Sequence, residues 1–275
     1  MKRVLTALIL VPVVLVLVFL APKWLFMLAT AAVAILAGWE MMSLTEGMGA
    51  RPPRLAVCAG LFVLFVWNYQ WPDLTLSLFT ILCLVLVVFC AFRSPTERML
   101  VDSAACILTL LYTGLTLLAL PELHEQANGP SLLVFLLCAV WSGDIAALYV
   151  GRAWGRHKLA PRLSPNKSWE GAIASVLGSL AVTGMLLGLG ELVLHYNSTR
   201  LYYSDEAWWY WLLLAAAVNI AAQVGDLAES GLKRSVGVKD SGSLLPGHGG
   251  VLDRIDALLL AAPVLWCLQE LHLLF

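Results

Sequence analysis

The chain has 275 residues, of which 60% are hydrophobic and 13% charged, and its mean hydropathy is +0.84. That composition excludes a soluble globular domain and predicts an integral membrane protein. The formal net charge of −1 gives no support for a nucleic-acid partner, so the useful information is where the charges fall along the chain.

The first stretch, MKRVLTALILVPVVLVLVFLAPK, has the basic start and apolar run of a signal peptide. It has no small-x-small cleavage site and more apolar runs follow, so it reads as a retained first span. A bilayer crossing takes about 20 apolar residues, and nine runs are candidates. They are Val4 to Leu20, Trp24 to Met42, Leu55 to Trp67, Leu74 to Ala91, Val101 to Leu120, Leu132 to Val150, Gly171 to Leu194, Ala207 to Leu227 and Ile255 to Leu274. The third is the shortest. The expected fold class is therefore all-α and polytopic, with spans 1–5 in residues 1–120 and spans 6–9, with two polar loops, in residues 121–275.

A cytoplasmic N-terminus puts 15 of the 17 Lys and Arg residues on the cytoplasmic side and leaves only Lys23 and Arg200 outside. This is the asymmetry the positive-inside rule predicts, and it places the C-terminus on the external side. Trp67, Trp71, Trp208, Trp209 and Trp211 fit an interfacial aromatic belt. No internal repeat of the transporter type is visible. The six cysteines, Cys58, Cys83, Cys90, Cys106, Cys138 and Cys267, lie in apolar runs without metal-knuckle spacing and read as packing residues.

Most of the remaining polarity is in two loops predicted to be cytoplasmic. In the first, Gly143 to Gly171, Asp144 ends the sixth span and RLSPNKSWEG sets Ser164, Lys167, Ser168 and Glu170 before the seventh. Two readings stand: a substrate pocket, or a helix cap at Ser168 with Lys167 marking the inner face. Further on, Asn219, Gln223 and Asp226 recur at i, i+4 and i+7 and share one helix face. A carboxylate at that depth costs about 2.5–3.5 kcal/mol and faces a partner or a water-filled cavity.

The second loop, Gly225 to Asp256, carries Ser230, Lys233, Arg234, Lys239 and Asp240, then LPGHGG, then Asp253, Arg254 and Asp256. Gly242, Gly247, Gly249 and Gly250 let backbone N–H groups approach phosphate oxygens without a Cβ in the way. The four bases supply compensating charge, while Asp226 and Asp253 offer the hard oxygens that suit Mg²⁺. Asp253 or Asp256 could instead cap the ninth helix. His248 reads as a general base or as a loop histidine bonded to backbone or phosphate.

SGLKRSVGVKDSGSLLPGHGGVLDRID, Ser230 to Asp256, resembles the full signature of the phosphatidate cytidylyltransferases, the CDP-diacylglycerol synthases: S-x-x-K-R, K-D, L-P-x-H-G-G and D-R-x-D. The upstream segment is similar through Asp144, Gly151, Arg152, Gly155, Lys158, Leu159, Pro161, Ser164, Pro165, Lys167 and Gly171. Leu148 and Ser168 depart from it, standing where tyrosine and threonine are usual. The likeness is close from Asp144 onward and rests mainly on hydropathy before it.

The resemblance implies CTP and phosphatidic acid as substrates, CDP-diacylglycerol and pyrophosphate as products, and Mg²⁺ as cofactor. A second monovalent or divalent cation is left open. It implies metal ligation by Asp226 and Asp253, with Asp256 as a supporting acid. Phosphate contacts would come from Lys233, Arg234, Lys239 and Arg254, and the Gly247-His248-Gly249-Gly250 turn would wrap the triphosphate. Asp144, Ser164 and Lys167 would complete the pocket, with Ser230 and Asp240 in the same signature. Membrane lipid and a second copy of the chain are the implied partners, in a multi-pass inner-membrane protein whose site faces the cytoplasm. The rival readings are a CTP-dependent polyprenol or lipid kinase, and a cation-coupled secondary transporter.

Overall fold

The computed structural model describes residues 2–195, 207–244 and 249–274. They are predominantly helical, in the order α1 (Lys2–Leu20), α2 (Lys23–Gly47), α3 (Arg54–Gln70), α4 (Thr75–Arg93), α5 (Thr96–Thr109), a π-helical turn (Leu110–Leu115), α6 (Ala119–Glu125) and α7 (Gly129–Trp154). After α7 come β1 (Lys158–Ala160), β2 (Ser164–Ser168), α8 (Trp169–His195), α9 (Trp208–Ser235), α10 (Leu252–Ile255) and α11 (Leu258–Leu274). Three prolines punctuate the chain as their missing N–H and fixed φ favour, Pro22, Pro53 and Pro95 each standing just before a helix, while Pro12 and Pro263 lie inside α1 and α11.

Each of the nine predicted runs is mainly helical over its described residues, with turns at 116–118 in the fifth and at 256–257 in the ninth. Six helical segments among the described residues are long and apolar enough to cross a membrane: Lys23–Gly47, Pro72–Arg93, Thr96–Glu125, Gly129–Trp154, Trp169–Gly190 and Trp208–Ser235. Leu10–Leu20, Arg54–Gln70 and Leu258–His272 are apolar but shorter. The all-α class holds, with one addition. β1 and β2 form an antiparallel hairpin, Lys158 opposite Ser168 and Ala160 opposite Ser164, in the middle of the first polar loop.

The chain divides into two compact units, Met1–Pro121 with Leu232–Ile255, and Glu122–Gly231 with Asp256–Phe275. Inside the first, Met42 of α2, Val57 and Leu61 of α3, Leu86 and Cys90 of α4, and Cys106 and Leu110 pack as one buried cluster. Lipid is as apolar as leucine, so such a cluster is held by close van der Waals fit more than by exclusion of water. At one end of this unit the carboxylate of Asp102, 1% exposed, accepts the Arg51 N–H at 2.6 Å and the Ser94 hydroxyl at 2.5 Å. The α2–α3 and α4–α5 corners are thereby tied to α5.

In the second unit α7 packs along α8 and also meets α11. Small residues permit that approach: a Cβ on Gly143 would run into the Asn219 amide and the Ser175 hydroxyl. Asn219, 1% exposed, donates to the Ala139 carbonyl at 3.3 Å and accepts from the Gln223 amide at 2.8 Å. The polar face read from the sequence is thus an interhelical hydrogen-bond chain through Gln223, which donates in turn to the Ala172 carbonyl.

Candidate active site

The second unit holds a cavity of about 760 Å³ whose lining includes Asp144, Arg152, Lys158, Asn166, Lys167, Gln223 and Asp226. Three elements build it. α7 presents Asp144 and, two turns on, Arg152. The hairpin carries Lys158 on β1 and Asn166 and Lys167 on β2, and α9 supplies Gln223 and Asp226. Lys167 reaches Asp226 at 2.6 Å, an ion pair with side chains 27% and 34% exposed. Ser230, one turn after Asp226, donates to the same carboxylate at 3.4 Å.

Ser168 does cap α8, its hydroxyl accepting the Gly171 N–H at 3.2 Å. Glu170 turns back to the His157 ring at 2.6 Å. The Lys167 ammonium sits on the Asp226 carboxylate in the cavity. Ser164 pairs with Ala160 at the far end of the hairpin and is outside the cavity lining. Leu148, where the resemblance leads one to expect tyrosine, does line the cavity and contributes no hydroxyl.

The first unit holds the glycine loop. Lys233 donates to Asp253 at 2.7 Å, with side chains only 12% and 6% exposed. The Ser241 N–H, at 3.1 and 3.0 Å to the two oxygens, and the Gly250 N–H at 2.8 Å converge on the same carboxylate. Burial works to raise the Asp253 pKa, but these donors more than offset it and hold the carboxyl below its ordinary value. Gly249 has a φ of +79°, a conformation glycine adopts without strain, and a Cβ there would strike Asp253.

Arg234 donates to the Val238 carbonyl at 3.1 Å and braces the turn after α9. Lys239, Asp240 and Arg254 are exposed. Gly247 and His248 lie outside the described residues. In the second unit, Asp256 accepts the N–H of the next residue, Ala257, at 2.8 Å, just before α11 begins.

One residue was missed by sequence reasoning. Glu40, in α2 and 7% exposed, accepts the Ser241 hydroxyl at 2.9 Å, the Val251 N–H at 3.0 Å and the Leu252 N–H at 2.8 Å. A Cβ on Gly242 or Gly250 would collide with its carboxylate. The only signal for it was a single acid in an apolar run, AILAGWEMMSL.

The donor chemistry can be compared with what a hard cation takes. In the second unit Asp226 shares its cavity with Asp144 and with the side-chain amides of Asn166 and Gln223, an oxygen-rich set of the kind that suits Mg²⁺. In the first unit Asp253 accepts from three donors, the Lys233 ammonium and the Ser241 and Gly250 N–H groups. Among the described residues no three His, Cys, Asp or Glu gather as a metal cluster.

Comparison with known proteins agrees with the signature. The chain is 34% identical to the phosphatidate cytidylyltransferase of Haemophilus influenzae, over 95% of this chain and 96% of that protein. It is 39% identical to the one from Pseudomonas aeruginosa, over 96% and 94%. With the one from Brucella melitensis the identity is 48% over 57% of this chain, a match that spans about half, 54%, of the relative's length. Residues 1–272 match the cytidylyltransferase family, and the chain belongs to that family.

Proposed function

We propose that the protein is a phosphatidate cytidylyltransferase, joining CTP and phosphatidic acid to give CDP-diacylglycerol and pyrophosphate. The observation that carries this reading is the glycine loop. Lys233 and the backbone N–H groups of Ser241 and Gly250 gather on Asp253 within the described part of that signature, in a chain that matches the family over 1–272.

In the proposed reaction an oxygen of the lipid phosphate forms a bond to the α-phosphorus of CTP. The α–β anhydride bond breaks and pyrophosphate carries off the electron pair. The nucleophile is already an anion, so no strong base is needed, and the barrier is charge repulsion and alignment. Lys233, Arg234, Lys239 and Arg254 are assigned to the triphosphate, with Gly249, Gly250 and the Gly247-His248 segment as its backbone cradle. Arg152, Lys158 and Lys167 give the second unit's cavity the positive charge that a phosphate requires.

Metal ligation by Asp226 and Asp253, as the resemblance implies, is retained as a proposal for each carboxylate in its own unit; the oxygen-rich lining around Asp226 supports it there. When bound, Mg²⁺ supplies charge neutralisation on the α-phosphate and the departing pyrophosphate. Nine spans, a cytoplasmic N-terminus, an external C-terminus, an inner-membrane location with a cytoplasmic site, and a homodimer belong to the same proposal. The positive-inside asymmetry of 15 against 2 supports the orientation.

The test is purified protein in detergent with phosphatidic acid, Mg²⁺ and CTP labelled at the α- or the γ-phosphate. Label entering lipid from the α position alone is the expected result. Transfer from the γ position would instead make the protein a CTP-dependent lipid kinase, and no transfer from a folded sample would remove both.

A further inference from the structure

The first unit has a second cavity, of about 490 Å³, that the proposed reaction does not use. Its lining includes Arg51, Arg54 and Arg93, with Glu46 the sole acid, and Leu55 and Phe89 as apolar wall. Glu46 is committed to Arg54, accepting from Nε at 2.9 Å and from an Nη at 2.6 Å, and the same guanidinium lies 4.7 Å over the Trp39 ring. Among the described residues Arg51 and Arg93 have no ion-pair partner. The first turn of α3, which supplies Arg54, Leu55 and Ala56 to the wall, has no side-chain cap, so its dipole adds to the positive field.

The positive-inside rule explains the sign of these charges but not their convergence from three segments on one cavity. Buried Asp102 fixes that convergence, because it holds the Arg51 backbone and the hydroxyl of Ser94, next to Arg93, at the two corners. The cavity lies where α2 and α4 end and α3 begins, at the rim of the apolar segment Pro72–Arg93. Its flanks are greasy: Leu55 is 80% exposed and Phe89 45%. A basic pocket between helices at a membrane rim, continuous with exposed apolar side chains, suits a phosphate head group with acyl chains attached.

We propose that Arg51, Arg54 and Arg93 form a binding site for the head-group phosphate of an anionic phospholipid, separate from the glycine loop. The lipid's chains run along Leu55 and Phe89. Because this site needs neither CTP nor turnover, it stands or falls apart from the proposed reaction.

The test uses the full-length protein in mixed vesicles without CTP. Phosphatidic acid, phosphatidylglycerol and phosphatidylcholine each carry a photoactivatable group near the head of one acyl chain, and labelled peptides are located by mass spectrometry. Phosphatidic acid, with or without phosphatidylglycerol, should label the peptides holding Leu55 and Phe89 well above phosphatidylcholine. Arg51→Gln and Arg93→Gln should each reduce that labelling about fivefold. Arg98→Gln, which removes an exposed arginine of the same unit outside this lining, should leave it unchanged. Equal labelling by phosphatidylcholine, or an equal loss with Arg98→Gln, would overturn the site. Suppression by excess inorganic phosphate would reveal a free-anion pocket and overturn the assignment to lipid. Arg51 and Arg93 are exposed, so the variants are expected to fold, and melting temperature checks this.

Discussion

Glu40 and Ser241 are 201 residues apart in the chain and 2.9 Å apart in the structure. Around that contact both carboxylate oxygens of Glu40 act as acceptors, Oε1 from Val251 and Oε2 from Leu252 and Ser241. A glutamine has one acceptor oxygen and would turn an NH₂ toward a buried donor, which costs about 1–3 kcal/mol. Glu40→Gln should therefore raise the KM for CTP by about tenfold, the rate equivalent of 1.4 kcal/mol, and leave the KM for phosphatidic acid unchanged. Steady-state kinetics with each substrate varied in turn checks it. Equal changes in both KM values, or none, would count against a role in shaping the loop.

Lys233→Met should open the glycine loop. It removes the ammonium from an Asp253 side chain that is 6% exposed, and stranding a buried charge costs about 3–5 kcal/mol. Hydrogen exchange at Ser241 and Gly250, whose N–H groups bind that carboxylate, should accelerate by orders of magnitude while the transmembrane helices stay protected.

The same carboxylate sets a pH dependence. The folded pKa of Asp253 is lowered, so its contribution is complete above the ordinary aspartate value of about 3.9. It is lost as pH falls from there through the folded value. Exchange protection of Ser241 and Gly250 should thus be flat from neutral pH to near 4 and decline only below it. A decline beginning near pH 6 would show that Asp253 is not held ionised by Lys233.

Asp226→Asn should separate stability from activity. Its ion pair with Lys167 is partly exposed, and such pairs contribute about 0–1 kcal/mol. The melting temperature should scarcely move, while CDP-diacylglycerol formation should fall by about 100-fold or more, the scale of losing a charge-stabilising contact. A variant that keeps near-native activity would remove Asp226 from the metal assignment.

Gly143→Ala tests the packing of the second unit. The added methyl meets Asn219 and Ser175, and overpacking of this kind costs about 1–3 kcal/mol. A lower melting temperature and partial loss of activity are expected, with phosphatidic acid binding weakened if Asp144, the next residue, is displaced.

Helix positions were legible because bilayer thickness demands long apolar runs, and each run chosen from the sequence is mainly helical over its described residues. The Ser168 cap was legible from a serine placed three residues before the Gly171 N–H it accepts. The β1–β2 hairpin was not, because Lys158 and Ser168 pair through backbone atoms and RLSPNKS has no alternating apolar face to announce a strand. Glu40 was hidden for a different reason. A lone acid in a span gives no hint of its partner, and the donors it binds are N–H groups of Val251 and Leu252, which every residue but proline carries.

The Glu40 contact also imposes an order on biogenesis. The acid lies seven residues before the end of α2, about 10 Å from the helix terminus at 1.5 Å per residue. On the ribosome α2 is made long before Leu252 exists, so the nascent first unit must carry this carboxylate without its loop donors until the loop arrives. At about 5–20 residues per second, that interval is some tens of seconds. Closure of the loop therefore follows synthesis of α3 to α9, and the first unit remains unfinished until Leu252 has been translated.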